Sequence, residues 1–345
     1  MCIPARISSM ISLRSIVVFA TIIVVSLAGA LAPSYLSSHL PDPPAQNLDE
    51  YQLARRYAGQ LLSGGDDGLV AIGHERAIKA AIALVSRDDC FLIGSSRIMT
   101  IEPFSLSKIA TECSAAGYNL GVSGGGLEDA ITFAGLIAGA KSVFFGIDHW
   151  TFRYGADDRF MELSSAYHAA RCRFRISDCE GSKSLRRIWS SLQNAGGVGR
   201  EKFRPASNRT EAQASTRKDG SHDYSQQYRY AMQKHWDAAH LTYKLAAPGI
   251  SARAVEDFMR MVRALRQGGM NVYFLFVPYH PRAAACESIE LCLALAEVEK
   301  TGKDIAAASG VAWCGSFRST LNEGDFISDM FADPERLIFT KESCN

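Results

Sequence analysis

The sequence predicts an α/β fold: a parallel sheet of about five strands with helices on both faces, three layers in all, behind one N-terminal membrane helix. Three observations carry this expectation. Short apolar runs alternate with amphipathic helical stretches at the spacing of β-α-β units. The apolar runs close on turn residues such as Gly94, Ser123, Gly146 and Pro278. A single uncharged run near the N-terminus has the length of a membrane span.

The N-terminal run is flanked by Arg6 and Arg14 and is continuously apolar from Ile16 to Ala32. Those 17 residues rise about 25 Å as a helix, at the short end for a span and beyond the apolar region of a cleaved signal. Pro33 after Ala30-Leu-Ala32 disfavours cleavage, so the reading is an uncleaved anchor with its positive flank in the cytoplasm and the rest exported. Domain limits follow: 1–32 as tip and anchor, 33–72 as a Pro- and Ser-rich stalk and linker, 73–345 as the folded domain.

Within that domain, Ile78, Ala81, Ile82 and Val85 recur at helical spacing, and the helix ends near Arg87-Asp88-Asp89. Cys90-Phe-Leu-Ile-Gly94 follows as a buried strand. A helix is expected around Leu106 to Ala116, stopped by Gly117, then a strand Tyr118 to Val122. Gly124-Gly-Gly126 opens the next helix, which aligns Leu127, Ala130, Ile131, Ala134 and Ala138; Lys141 to Gly146 is the third strand. The pattern resumes where Ser251 caps a helix carrying Val255, Phe258, Met259, Val262 and Leu265. Asn271 to Val277 is the most hydrophobic strand, and a helix from Glu287 to Ala308 and a strand Gly310 to Trp313 complete the set. The intervening stretch from Asn194 to Tyr230 is polar and reads as a long loop or lid.

Composition narrows the function. With 345 residues, 47% hydrophobic, and a net charge of +1, the chain has ample core and no basic face for nucleic acid. No CxxC pair and no HExxH motif occurs, and His168, His235 and His240 share no metal-ligand spacing, so neither a metal nor an organic cofactor is implied. Cys2 falls on the cytoplasmic side, which leaves eight cysteines in an oxidising compartment. Cys172/Cys179, Cys286/Cys292 and Cys314/Cys344 are candidate local pairs, whereas Cys90 and Cys113 read as buried small hydrophobes.

In an open parallel sheet, ligands bind beyond the carboxyl ends of the strands. Those ends hold Gly94-Ser95-Ser96-Arg97, Ser123-Gly124-Gly125, Asp148-His149 and Tyr279-His280. A serine entering a helical turn exposes its hydroxyl beside unsatisfied N–H groups, the requirement for acyl transfer. A nucleotide site on Gly121-x-x-Gly124-Gly-Gly126 is the weaker reading. The dinucleotide and Walker spacings are missing, and Glu128 and Asp129 would repel phosphate.

Phe91-Leu-Ile-Gly-Ser-Ser-Arg97, Asn119-Leu-Gly-Val-Ser-Gly124 and Phe145-Gly-Ile-Asp148 resemble the successive blocks of SGNH/GDSL-type hydrolases. The likeness is to membrane-anchored bacterial members associated with exopolysaccharide or teichoic-acid acylation, in which Gly-Ser-Ser-Arg replaces Gly-Asp-Ser. Lys218-Asp-Gly-Ser221 and Phe276-Val-Pro-Tyr-His-Pro281 support it. The resemblance implies a flavodoxin-like α/β/α domain, a polysaccharide or acylated-glycan substrate, and a multi-span membrane acyltransferase as partner. Carried over, Ser96 is the nucleophile and first oxyanion donor, and Gly124 is the second.

Two positions depart from the pattern. Asp333 matches the aspartate of a C-terminal Asp-x-x-His, but Arg336 stands where the histidine belongs, and arginine cannot take a proton from serine. Asp148 occupies the position of an asparagine oxyanion donor. Either His280 or His149, both at strand ends, replaces the base, or the site keeps only its pocket and binds ligand. Arg97, Arg336, Trp150 and Tyr279 are the expected substrate contacts, with His222 in a lid or a plain turn.

Overall fold

The computed structural model describes residues 75–86, 88–114, 117–137, 139–177, 214–216, 219–224, 249–281, 289–318, 321–322, 325–326, 332, 337 and 339–345. The strands are β1 (Cys90–Ile93), β2 (Gly117–Asn119), β3 (Ser142–Ile147), β4 (Ala214–Thr216), β5 (His222–Tyr224), β6 (Asn271–Phe276) and β7 (Ala312–Gly315). Five form one sheet in the order β2-β1-β3-β6-β7, and every neighbouring pair is parallel. β4 and β5 form a separate antiparallel pair. The α-helices are α1 (Glu75–Val85), α2 (Leu127–Leu136), α3 (Ser164–Arg173), α4 (Ala252–Gln267) and α5 (Ile289–Ser309).

Alternation along the strands sorts their side chains onto two faces. Phe91, Ile93, Val143, Phe145, Phe274 and Phe276 face a core that all five helices enter. Phe258 of α4 is its pivot, meeting Phe145, Phe152 and Phe274 with ring centres 5.4–5.6 Å apart. α2 and α3 approach closely at Gly135, where a Cβ would lie 2.4 Å from that of Ala170.

The other face differs from expectation. Cys90, Leu92, Phe144 and Leu275 pack under Leu106, Ile109 and Cys113 and under Leu337 and Phe339 near the C-terminus. No α-helix among the described residues covers this face. The helix expected around Leu106 is instead two 3-10 turns, Pro103–Lys108 and Thr111–Ser114. Ser105 and Ser114 hydroxyls donate to the carbonyls of Glu102 and Thr111, three residues back, which competes with an α-helical ladder. A disulfide from Cys113 to Cys90 ties the second turn to β1, so these two cysteines are bonded rather than merely buried.

The pair Cys314–Cys344 forms as expected. It fixes the C-terminus along β7, where Trp313 and Asn345 exchange backbone hydrogen bonds of 3.1 and 2.9 Å and cover that sheet edge. Cys179, Cys286 and the apolar segment from Ile16 to Ala32 lie outside the described residues. Among the described residues no helix is long and apolar enough to cross a membrane.

Candidate functional site

The strand order places β2 on one side of β1 and β3 on the other. Connections leave in opposite directions there, which makes the carboxyl ends of β1 and β3 the switch point where parallel sheets bind ligands. Ser95 and Ser96 follow β1; Asp148 and His149 follow β3.

Beyond β1, Ser95 pairs with Val122 in an isolated parallel bridge, and its hydroxyl accepts the Arg97 N–H at 3.2 Å. That contact caps the 3-10 turn Ser96–Ile98. The tight turn leaves Ser96 partly exposed and sends Arg97 inward, where it is 1% exposed. Its Nη1 lies 3.2 Å from Asp148 Oδ1, and its Nη2 donates to the carbonyls of Val277 and Pro278 at 2.7 and 2.6 Å. The guanidinium carbon sits 3.3 Å above the centre of the Tyr279 ring. One side chain therefore ties together the ends of β1, β3 and β6.

Burial pushes the Asp148 carboxyl above its ordinary range, opposed first by Arg97 and then by hydrogen bonds from Ser95 and Tyr279. The Tyr279 phenol, also raised by burial, stays protonated. Its oxygen lies 3.4 Å from Asp148 Oδ1 and 2.6 Å from His149 Nδ1, and it accepts the His149 backbone N–H at 3.3 Å. With the phenol proton directed to Asp148 Oδ1, Nδ1 of His149 is the donor to the phenol oxygen. That arrangement leaves Nε2 as the basic nitrogen of His149. The His149 ring stands edge-on to Trp150 at 4.3 Å, and Trp150 Nε1 donates to the Gly125 carbonyl at 2.7 Å, which joins β3 to the glycine loop.

Gly124 has φ +66°, and a Cβ there would fall 2.3 Å from Asp157 Oδ2. Around it stands a charged cluster that the sequence reading missed. The Ser123 carbonyl accepts from Arg76 at 3.1 Å and Arg159 at 2.9 Å, and the Ser123 N–H donates to Glu75 at 2.8 Å. Arg76 pairs with Asp129 at 2.7 Å, and Arg159 pairs with Asp157. The signals available were the acidic first turn of α2 and the Asp157-x-Arg159 pair, but nothing in the sequence brings α1 against them.

The expected substrate contacts Arg97, Trp150 and Tyr279 are 1%, 4% and 1% exposed, and their polar groups bond to other parts of the protein. Here they hold the sheet edge together. Asp148 likewise turns inward to Arg97 rather than out toward an oxyanion. His280 is nearly buried, its ring 5.1 Å from Phe326. Among the described residues no hydrogen bond joins the Ser96 hydroxyl to His149 or His280. Asp333 and Arg336 lie outside the described residues.

Residues 219–221 form a turn ahead of β5 that docks on β2. Asn119 N–H donates to the Asp219 carbonyl and His222 N–H to that of Met99, both at 2.6 Å. Lys79, fully buried on α1, donates to Gly121 O and Gly220 O, and burial lowers its pKa to about 8. His222 Nε2 stands 3.8 Å from Glu75 Oε1. Here the polar stretch is a turn leading into β5, held by the main chain of Asn119 and Met99. The sequence matches no protein-family model, and neither a curated protein nor a solved structure is significantly similar to the chain.

Proposed function

We propose that the chain is a membrane-anchored, exported esterase or O-acyltransferase of SGNH type. It acts on acyl groups of a cell-envelope or secreted polysaccharide through Ser96. The observation that supports this is the chain His149–Tyr279–Asp148–Arg97 at the switch point beside Ser96. A serine nucleophile needs a histidine whose far nitrogen is held by a third group, and Tyr279 backed by Asp148 supplies that hold. His149 thereby replaces the base that Arg336 cannot be. The polysaccharide, the anchor and a multi-span acyltransferase partner rest on the sequence resemblance.

In this mechanism Ser96 Oγ attacks the acyl carbonyl carbon while His149 Nε2 takes its proton. The carbonyl oxygen becomes an oxyanion facing the N–H groups of Ser96 and Gly124. Asp148, neutralised by Arg97, does not oppose that charge. Collapse breaks the ester bond, and His149 returns the proton to the leaving sugar oxygen. Water or an acceptor hydroxyl then attacks the acyl-Ser96 ester by the same steps in reverse. His149 Nε2 must come within hydrogen-bond reach of Ser96 Oγ in the substrate complex.

A second reading, a catalytically degenerate carbohydrate-binding or scaffolding subunit, is favoured by Arg336 at the histidine position and by the inward Asp148. Release of acetate from an O-acetylated polysaccharide separates the two. Turnover by the full chain that Ser96→Ala and His149→Ala abolish and His280→Ala spares supports the enzyme. Glycan binding without turnover supports the subunit.

A further inference from the structure

Four arginines surround a groove of about 500 Å³ between the end of α3 and the second half of α4. Arg173, Phe174 and Arg175 form one wall, and Arg260, Arg263 and Gln267 the other. The α4 residues recur at i, i+3 and i+7, so they share one face over about 10 Å. The groove is remote from Ser96. Ser251, at the start of α4, donates its N–H to Phe152 O beyond β3, and Arg263 lies about 18 Å further along the helix.

Structural roles account for two of the arginines. Arg173 sits in the last turn of α3, where a cation suits the helix dipole, and donates to Gly135 O at 2.8 Å. Arg260 pairs with Glu256 one turn back and donates to Arg175 O at 2.9 Å. Arg175 and Arg263 are exposed, and among the described residues no carboxylate pairs with either.

The backbone at Arg175 is the second, independent observation. α3 ends in a Schellman motif: Ile176 N–H donates to Arg171 O at 2.8 Å and Arg175 N–H to Cys172 O at 3.0 Å. The motif needs a left-handed residue, nearly always glycine, and here that residue is arginine at φ +56°. It is the one non-glycine with positive φ among the described residues. Glycine would suit this backbone better, so the arginine side chain is held there at a conformational cost.

We propose that this groove binds an acidic glycan, a polymer whose successive units carry carboxylates that Arg175 and Arg263 take up with bidentate hydrogen bonds. Arg175 and Arg263 stand on opposite walls of the groove and each guanidinium takes its own carboxylate, so the ligand carries repeated charges. A concave surface without exposed apolar side chains fits a chain rather than a bilayer. The glycan class rests on the reading of Ser96 above; the anionic character rests on the groove alone.

The test is titration of the full chain with oligogalacturonate, with uncharged dextran oligomers and inorganic phosphate as comparisons. Oligogalacturonate should bind, and binding should weaken tenfold or more between about 0.05 and 0.5 M salt. Arg263→Glu should abolish it. Arg175→Gly should weaken it about fivefold or more while raising the unfolding midpoint, so misfolding cannot explain the loss. Ser96→Ala should bind as the parent does, whether or not the parent has esterase activity. Equal binding of dextran, complete competition by phosphate at equal charge, or parent-like affinity in Arg175→Gly and Arg263→Glu would each overturn the proposal. Loss of binding in Ser96→Ala would move the glycan to the serine site, overturning the groove but not the enzyme.

Discussion

Arg97 Nη1 lies 3.2 Å from Asp148 Oδ1, with the two side chains 1% and 2% exposed. This buried pair makes Asp148 part of a brace that joins the carboxyl ends of β1, β3 and β6. Arg97→Met leaves a buried carboxylate without its cation and should cost about 3–5 kcal/mol. Asp148→Leu in the same chain should recover the part due to the unpaired carboxylate, while the lost bonds to Val277 O and Pro278 O remain. Removing Arg97 raises the Asp148 pKa further. A carboxyl with a raised folded pKa contributes its stability below the unfolded pKa and loses it as pH rises through the folded one. Urea midpoints should therefore show a deficit for Arg97→Met near pH 4, from the lost bonds to Val277 O and Pro278 O, that grows toward pH 7.

Tyr279→Phe removes the oxygen that holds His149 Nδ1 while keeping the ring under Arg97. In the proposed enzyme kcat should fall about 10²-fold with little change in KM, the scale of a misoriented general base. The pH–rate profile should shift, because the imidazole has lost its partner. An unchanged profile and rate would assign Tyr279 to packing alone.

Lys79 has a folded pKa of about 8, lowered by burial from an ordinary value of 10.5. Between those values the unfolded chain binds more protons, so stability rises with pH across that window. Relative to Lys79→Met, the parent should gain roughly 3 kcal/mol from about pH 8 to pH 10.5. Denaturant titrations of both proteins across the window check this, the variant cancelling contributions from other groups.

The Cys314–Cys344 bridge closes a separation of 30 residues. Opening it in Cys314→Ser with Cys344→Ser should lower stability by about 3 kcal/mol through loop entropy. Loss of amide protection at Asn345 and Trp313 by hydrogen exchange should accompany the change, since the same tail covers β7.

Much of the sheet was legible because β3 and β6 are continuous apolar runs, and Ser251 caps α4 as its position suggests, accepting from Ala254 N–H at 3.3 Å. The second face was not. Leu106 and Ile109 fit a helical stripe, while the serines that bond back to the main chain leave no trace in a hydrophobic pattern. α3 was legible only as a helix-like segment around His168, since Ser164–Arg173 is polar and alanine-rich and is positioned by close packing on Gly135. At the site, the strand ends placed Ser96, Asp148 and His149 on one edge. Which way Arg97 pointed depended on a cap from Ser95 and on carbonyls some 180 residues away, and such long-range partners have no local signature.

The central claim, that Ser96 is an activated nucleophile with His149 as its base, is tested most directly by labelling the full chain with a fluorophosphonate probe. The account predicts stoichiometric labelling at Ser96, absent in Ser96→Ala, lost in His149→Ala and retained in His280→Ala. Folded protein that takes up no label, or a His149→Ala variant that labels as fast as the parent, would contradict it.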